Sequence, residues 1–225
     1  DEIKGYRDGG QSDFLLLLVL DHKNKTIRQL QIDRDTMTSV NVLGLFGNNA
    51  GSRVMQICLS HGYGMDRQER CQNSLRAVEG LLNCPEIELY MEVPLDAIST
   101  LNDLLGGVTV TLVRRRMDVA DGTNETRMTR QREFMDAAVP LIREKINESS
   151  GFITTMIDTL TPYVTTNMVR GRMINEINRA YHYEVEPVQY LSGEHSIGED
   201  GFVEFHADEQ SIVDFVLDAF YTKKE

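Results

Sequence analysis

An unbroken apolar run near the start of the chain constrains the fold most strongly. Residues 14–20 are all apolar, and residues 26–33 then alternate apolar with polar side chains. The polar segment between them, residues 21–25, is typical of a turn, so the two runs predict a β-hairpin. A wholly apolar strand is usually buried on both faces. The run at 14–20 is therefore expected near the centre of a sheet that helices cover.

The rest of the chain alternates strand-like and helical patterns. Strands are predicted at residues 87–93, 108–113, 184–190 and 201–205, with the last two as a pair. Helices are predicted at residues 66–82, 94–105, 127–146, 152–160, 168–181 and 207–221. Strands that alternate with helices predict a three-layer α/β fold. The chain has no internal repeat and no Pro- or Ser-rich linker, so residues 1–225 are predicted to form one domain.

The chain is acidic but rich in arginine. It carries 23 basic and 35 acidic side chains, for a formal net charge of −12, and 17 of the basic residues are Arg. Residues 112–134 contain six of these Arg. Nucleic acid would require a broad basic surface, so this composition argues against nucleic-acid binding. Clustered guanidinium groups suit a compact anion such as a phosphate, although a solvated helix face with salt bridges would show the same pattern.

Motifs of covalent and zinc catalysis are missing from the sequence. It contains no GxSxG, HExxH or GxxxxGK[ST] pattern, and its five His and three Cys show no metal-site spacing. The apolar run at 14–20 is far too short to cross a bilayer. The sequence therefore favours chemistry based on charge over chemistry based on a nucleophilic side chain.

Three residues that flank the predicted hairpin are candidates for a site. Arg34 and Asp35 directly follow the second predicted strand, where side chains of α/β proteins project into a ligand crevice. An Arg–Asp pair that merely closes the strand would have the same sequence. Asp13 is an acid at the start of the apolar strand. It is either a turn residue or an oxygen ligand for a divalent cation.

A second group of candidates lies in the arginine-rich segment. Arg114 and Arg116 are two residues apart in a predicted extended stretch, so their side chains point the same way. Arg127 and Gln131 are four apart on a predicted helix and share a face, with Arg130 beside them. These side chains would form one anion site if the two segments approach each other.

Four segments occur in an order that is specific as a set. They are Gln-Ser-Asp at 11–13, Ile-Asp-Arg-Asp-Thr at 32–36, Leu-Leu-Gly-Gly-Val-Thr-Val at 104–110, and Val-Arg-Arg-Arg at 113–116 followed by Asp121, Arg127, Arg130 and Gln131. Together they resemble the motifs of the LytR-CpsA-Psr (LCP) family, which attaches glycopolymers to the bacterial cell wall. Two positions depart from the family pattern, since Gln11 stands where Arg is usual and Asp33 where Pro is usual.

The resemblance implies a fold, an activity and a location. The fold is a three-layer α-β-α arrangement with a central mixed sheet. The activity is that of a Mg²⁺- or Mn²⁺-assisted phosphotransferase, which moves a teichoic acid or capsular polysaccharide from a polyprenyl-pyrophosphate carrier to peptidoglycan. The family is anchored by an N-terminal transmembrane helix. The chain is thus expected to be an extracellular part, at the outer face of the cytoplasmic membrane of a Gram-positive-type bacterium.

The resemblance also implies roles for individual residues. Arg34 and Asp35 are the expected catalytic residues, and Asp35 would either orient Arg34 or accept the proton of the acceptor hydroxyl. Asp13 is the expected metal ligand. Arg34 is expected to face a crevice and not the core. The expected ligands of the pyrophosphate are Arg34, Arg114, Arg116, Arg127, Arg130 and Gln131.

Other features keep further possibilities open. The family's first strand, with its Gly-x-Asp, is not found ahead of residues 11–13, so one expected metal carboxylate is lacking. The stretch between residues 108 and 113 is shorter than in the family, which predicts a deletion or an omitted loop near residues 112 and 113. Cys58 and Cys71 are a candidate disulfide. A polyprenyl-pyrophosphate pyrophosphatase and a non-catalytic module that binds wall glycopolymer are the alternative functions.

Overall fold

The chain folds into two units that differ in their secondary structure. The computed structural model describes residues 10–44, 47–84, 86–108 and 124–221, with side chains from residue 131 onward in the last range. By their contacts, Asp1–Tyr90 and Glu184–Glu225 form one compact unit and Met91–Tyr183 forms the other. The single domain expected from the sequence stays a prediction.

The described part of the first unit is rich in strands. Its strands are β1 (Leu15–Asp21), β2 (Thr26–Ile32), β3 (Met37–Leu43), β4 (Asn49–Gln56), β7 (Glu184–Gln189), β8 (Gly193–Ile197) and β9 (Val203–Ala207). Its helices are a 3-10 helix (Ile57–Gly62), α1 (Arg67–Leu82) and α6 (Glu209–Phe220). The second unit contains β5 (Met91–Glu92), α2 (Leu95–Leu104), α3 (Asn124–Glu148), α4 (Phe152–Leu160), β6 (Thr165–Thr166) and α5 (Arg170–Ala180).

The sheet that leads to the candidate site is mixed. Its described strands lie in the order β1-β2-β7, with β1 antiparallel and β7 parallel to β2. The predicted hairpin is confirmed by the continuous pairing of β1 with β2. Asp21 stabilises the turn between β1 and β2, because its Oδ1 accepts the amides of Lys23 and Asn24 at 2.9 Å. The α/β class with a central mixed sheet is therefore confirmed.

The apolar strand is less buried than the sequence predicts. β1 is half-buried, and Leu18 is 46% exposed. β2 instead buries Leu30 and Gln31, because β7 pairs along its second edge. The polar residues of β2 are satisfied inside the unit, where Gln29 Nε2 donates to the Glu186 carbonyl at 2.8 Å. The alternating strand is thus the central one among the described residues.

Several other elements differ from the sequence patterns. The hairpin of β3 and β4 is not among the predicted elements. The pairing expected between residues 184–190 and 201–205 is wrong, since β7 joins β2 and β9 pairs with β8. The strand expected at 87–93 shortens to β5, which pairs with β6. The predicted helices are present close to their expected bounds. The junction near residues 112 and 113 lies outside the described residues.

Two helices cover the core of the first unit. α1 is preceded by its N-cap Asp66, whose side chain accepts the Glu69 amide at 2.8 Å. α6, from the C-terminal part of the sequence, contributes Phe215 and Val216 to the same core. The buried residues of this core are Leu30, Ile32, Val40, Ile57, Ala77, Val78, Leu82, Leu191, Phe205, Phe215 and Val216. The core that supports β2 is therefore completed by the returning C-terminal segment.

The second unit is mainly helical. One cluster joins the end of α3 to α4 and α5, and another joins α2 to the middle of α3. Their buried members are Ile146, Ile153, Ile157 and Met173 in the first cluster, and Leu105, Phe134 and Ala138 in the second. Of the helices in the described ranges, none combines the length and the apolar character needed to cross a membrane.

Candidate functional site

Arg34 lies in a tight turn at the end of β2. The Thr36 amide donates to the Asp33 carbonyl at 3.1 Å, which closes a four-residue turn with Arg34 in its second position. Asp33 reinforces the turn, because its Oδ1 accepts the Asp35 amide at 2.8 Å and its carbonyl accepts the Thr36 hydroxyl at 2.6 Å. This turn sets the direction in which the Arg34 side chain leaves the backbone.

The Arg34 guanidinium is buried among polar partners. Nη1 donates to Asp13 Oδ1, and Nη2 donates to Gln11 Oε1 and, at 3.4 Å, to Cys58 Sγ. Nε lies 3.6 Å from Asp35 Oδ1. Only 7% of Arg34 is exposed, so the expectation that it faces an open crevice is wrong. The charge is tolerated inside the protein because two carboxylates compensate it.

The two carboxylates expected at the site both contact Arg34. Asp13 precedes β1, and this segment is held by the Ser12 amide, which donates to the Cys58 carbonyl at 3.1 Å. The Asp13 side chain is 47% exposed and that of Asp35 is 13% exposed. The structure thus brings Asp13, Arg34 and Asp35 together. Their roles in catalysis and metal binding stay predictions.

The hairpin of β8 and β9 packs against the same turn. The Phe205 amide donates to the Asp35 carbonyl at 2.8 Å. Gln56 Nε2, at the end of β4, donates to the Val203 carbonyl and lies 3.4 Å from Asp35 Oδ1. Asp35 is therefore held through both its backbone and its side chain, which suits a residue that orients Arg34.

The hairpin also places a histidine on the turn. His195 Nε2 lies 3.1 Å from Asp33 Oδ2, and the His195 ring centroid is 4.7 Å from that of Phe205. The sequence patterns did not select His195, because it lies 162 residues from Asp33 and belongs to no motif. The one feature of the sequence that could have indicated an extra partner at this turn was Asp33, which occupies the position of a proline in the family signature.

Cys58, beside Arg34, is a fully buried thiol. The structure contains free thiols at Cys58 and Cys71, so the candidate disulfide between them is not formed. Cys58 Sγ accepts from Arg34, whereas Cys71 Sγ lies 4.0 Å from His61 Nε2. Burial raises the pKa of the Cys58 thiol, and the charge of Arg34 opposes this effect only in part. Cys58 is thus a neutral packing group.

The other expected anion ligands lie in or before α3. Arg114 and Arg116 fall outside the described residues. Arg127 and Arg130 belong to α3, in which the described side chains begin with the half-buried Gln131. The helix confirms that Arg127 and Gln131 are spaced to share a face. The convergence of these side chains with the turn that follows β2 stays a prediction.

Comparison with known proteins establishes the family. A model of the LytR_cpsA_psr family matches residues 1–113, half of the chain. The chain belongs to this LCP family. It is similar to TagU of Bacillus anthracis, named a polyisoprenyl-teichoic acid–peptidoglycan teichoic acid transferase, with 30% identity over 103 residues. The match covers 46% of this chain and 29% of TagU, so it spans less than a third of that relative.

Solved structures share the LCP fold over nearly the whole chain. Protein gbs0355 from Streptococcus agalactiae aligns with a TM-score of 0.76 at 16% identity, covering 96% of this chain and 82% of its own. TagT bound to LI-WTA aligns with a TM-score of 0.68 at 18% identity, covering 93% and 83%. At these identities the likeness establishes the fold alone, and it confirms the fold class expected from the motifs.

The charges around the LCP turn limit what it can bind. Asp13, Asp33, Arg34 and Asp35 together carry a formal charge of −2, from one cation and three anions. A phosphate anion therefore needs further positive charge from a metal ion or from other arginines. Carboxylate oxygens are the ligands that Mg²⁺ and Mn²⁺ prefer. The half-exposed Asp13, with Asp35 on the same guanidinium, fits such an ion in its donor chemistry.

Proposed function

We propose that this LCP protein is a phosphotransferase that moves a glycopolymer from a polyprenyl-pyrophosphate carrier to peptidoglycan, assisted by Mg²⁺ or Mn²⁺. The observation that carries the proposal is Arg34, a buried arginine between two carboxylates in the family's signature turn. Family membership and the name of TagU support the choice of donor and acceptor. The name of TagU also favours a teichoic acid as the transferred glycopolymer.

In the proposed reaction, a hydroxyl oxygen of peptidoglycan attacks the phosphorus atom that bears the glycan. A phosphodiester forms, the bond to the bridging oxygen breaks, and polyprenyl phosphate leaves with that oxygen. The hydroxyl proton passes to solvent or to a carboxylate. Negative charge increases on the leaving phosphate, and Arg34 would stabilise it there. A bound divalent cation would neutralise phosphate charge that the acidic chain otherwise repels.

The contacts of the turn support a division of roles. Asp35 would orient Arg34, because it already contacts Arg34 Nε and lies near Gln56 Nε2 while largely shielded from water. Asp13 is more exposed and would hold the metal. Additional positive charge is required, since the four charged groups around the turn are formally −2. We assign it to Arg114, Arg116, Arg127 and Arg130, with Gln131 as a neutral donor.

The proposed reaction also implies a location. Peptidoglycan, the proposed acceptor, is assembled outside the cytoplasmic membrane. We therefore place the protein at the outer face of that membrane in a Gram-positive-type bacterium. A membrane anchor outside these 225 residues would keep it close to its lipid-linked donor.

The first test is the release of polyprenyl phosphate from a prenyl-pyrophosphate-linked glycan, measured with Mg²⁺ and with EDTA. We expect metal-dependent release that falls by at least about a hundredfold in Arg34→Ala, the scale seen when a charge-stabilising donor is removed. Arg34→Lys should also be impaired, because an ammonium group cannot reproduce the guanidinium fork. Product attached to peptidoglycan would be measured in the same reactions.

Because Arg34 is buried, the Arg34→Ala variant needs a control that separates a loss of stability from a loss of turnover. Arg34→Ala leaves Asp35 without its cation and should cost on the order of 2 kcal/mol of stability. Arg28→Ala removes a partly buried arginine in the first half of β2, whose Nε lies 3.2 Å from Glu186 Oε2. Arg28→Ala should keep full turnover at temperatures below its melting point. Equal losses of turnover in the two variants would make Arg34 structural.

The same assay separates the alternatives. Release that is undiminished by peptidoglycan and yields no linked product would identify a pyrophosphatase. Binding of glycopolymer without release in Mg²⁺ or Mn²⁺ would identify a binding module. Either result would contradict the proposed transfer.

A further inference from the structure

The Asp33 carboxylate connects the Arg34 turn to a distant strand. Its Oδ1 accepts the Asp35 amide at 2.8 Å within the turn, and its Oδ2 lies 3.1 Å from His195 Nε2 on β8. An ionised carboxylate can only accept, so His195 presents an N–H at Nε2. The Asp33 side chain is 12% exposed and that of His195 is 52% exposed. The bond is thus shielded at its carboxylate end.

This connection affects the orientation of the Arg34 side chain, because it involves the turn that carries Arg34. Arg34 follows Asp33 in the turn, and the Asp33 carboxylate helps to close that turn through the Asp35 amide. Rotation of the carboxylate would break this bond. At this position the family signature has proline, whose ring restricts the backbone directly. Aspartate has no such restriction, and in this chain both oxygens of its carboxylate contact neighbouring groups.

The ring of His195 is itself held in place. It contacts Phe205, a buried core residue whose amide donates to the Asp35 carbonyl. His195 and Phe205 are directly opposite each other in the β8–β9 pairing. One cross-strand pair therefore contacts the turn at two points, before and after Arg34.

We propose that His195 is a positioning residue for Arg34. It acts through Asp33, holding the carboxylate so that the turn keeps a single conformation and presents the guanidinium to the pyrophosphate of the donor. The proposal rests on the proposed phosphotransfer. Its first consequence, protection of the Asp35 amide, is measurable without any turnover.

The test compares three variants of the whole chain. His195→Ala removes the hydrogen bond, and His195→Gln restores an N–H donor near the position of Nε2. His206→Ala is the matched control, because His206 lies on the same hairpin, is 53% exposed, and has its Nε2 3.1 Å from the Glu204 carboxylate. Each variant is examined by hydrogen exchange at the Asp35 amide, by melting temperature, and by release of polyprenyl phosphate.

The expected result is specific to position 195. In His195→Ala the Asp35 amide should exchange about fivefold faster, and kcat/KM should fall by a similar factor, the scale of one hydrogen bond. The melting temperature should match that of His206→Ala. His195→Gln should recover most of both losses, which a purely steric role of the ring would not explain.

Three outcomes would overturn the proposal. In the first, His195→Ala and His206→Ala are indistinguishable in exchange and in turnover. In the second, exchange accelerates but turnover is unchanged, so that the bond is structural only. In the third, His195→Gln behaves like His195→Ala. If the wild type releases nothing under any condition, the proposed function fails, and the exchange data still show whether His195 holds the turn.

Discussion

Arg34 illustrates how a charged side chain can be buried when polar groups surround it. Its partners come from three places in the chain: Gln11 and Asp13 before β1, Asp35 within the turn, and Cys58 in the 3-10 helix. Burial without such partners would cost several kcal/mol, on the order expected for an unpaired ion. The arrangement therefore holds the Arg34 guanidinium in one position.

Cys58 provides a prediction at the residue scale. Burial raises the pKa of its thiol, and the thiolate is the reactive form. We expect Cys58 to resist iodoacetamide in the native protein and to react rapidly in denaturant. Mass spectrometry of the labelled peptides measures this. Cys84, whose thiol is half-buried, is the internal comparison and should react earlier.

The same raised pKa predicts a pH dependence of stability. The folded protein holds the Cys58 proton more tightly than the unfolded chain. This contribution is fully present below the unfolded pKa, about 8.5, and is lost as the pH rises through the folded value. Cys58→Ala should therefore lose less stability than the wild type as the pH rises above about 8.5. Parallel pH profiles of the two proteins would contradict the assignment.

At the scale of single elements, helix α1 depends on its first turn. Asp66 accepts the Glu69 amide at 2.8 Å, and the Glu69 carboxylate accepts the Met65 amide at 2.7 Å. Reciprocal bonds of this kind satisfy backbone amides that the helix leaves unpaired. α1 packs against the core beside β2, so its first turn also stabilises the sheet that leads to Arg34.

Loss of the α1 cap should be measurable. Asp66→Ala should lower the free energy of unfolding by about 1 kcal/mol, because the Glu69 amide loses its acceptor. Asp66→Asn keeps an acceptor oxygen and should stay within a few tenths of a kcal/mol of the wild type. Urea denaturation measures both. Equal destabilisation by the two variants would instead indicate a role for the Asp66 charge.

At the scale of the whole molecule, the first unit is built from both ends of the chain. β7 lies parallel to β2, and β9 and α6 complete the core around it. The motifs that identify the family lie before residue 132, and the matched family segment ends at residue 113. The C-terminal segment carries none of those motifs, yet it contains His195 and also Phe205, whose amide donates to the Asp35 carbonyl.

The role of the C-terminal segment can be tested through α6. Phe215 is 6% exposed and belongs to the core, whereas Leu217 on the same helix is 53% exposed. Phe215→Ala should cost about 3 kcal/mol or more of unfolding free energy, and Leu217→Ala should cost less than about 0.5 kcal/mol. Urea denaturation of both variants decides this. Similar costs would mean that α6 is not docked as described.

Part of the site could be predicted from local sequence. Asp13, Arg34 and Asp35 lie at strand ends and in family motifs, and the structure brings them together. The burial of Arg34 could not be predicted, because it depends on Gln11 and on the 3-10 helix that contributes Cys58. Local patterns describe what a side chain is and which way it points, but not what packs over it.

The sequence by itself determined the α/β class, the β1–β2 hairpin, the helices and the family, because periodicity, turn residues and motif order are local properties of the chain. The tertiary structure decided that β2 is more buried than β1, that Arg34 is enclosed, and that His195 meets Asp33. The burial of β2 depends on its pairing with β7, and the contact of His195 depends on the β8–β9 hairpin. The enclosure of Arg34 depends on Gln11 and Cys58, which lie outside its own turn. Such contacts arise from cooperative burial of apolar surface, which no short stretch of sequence encodes.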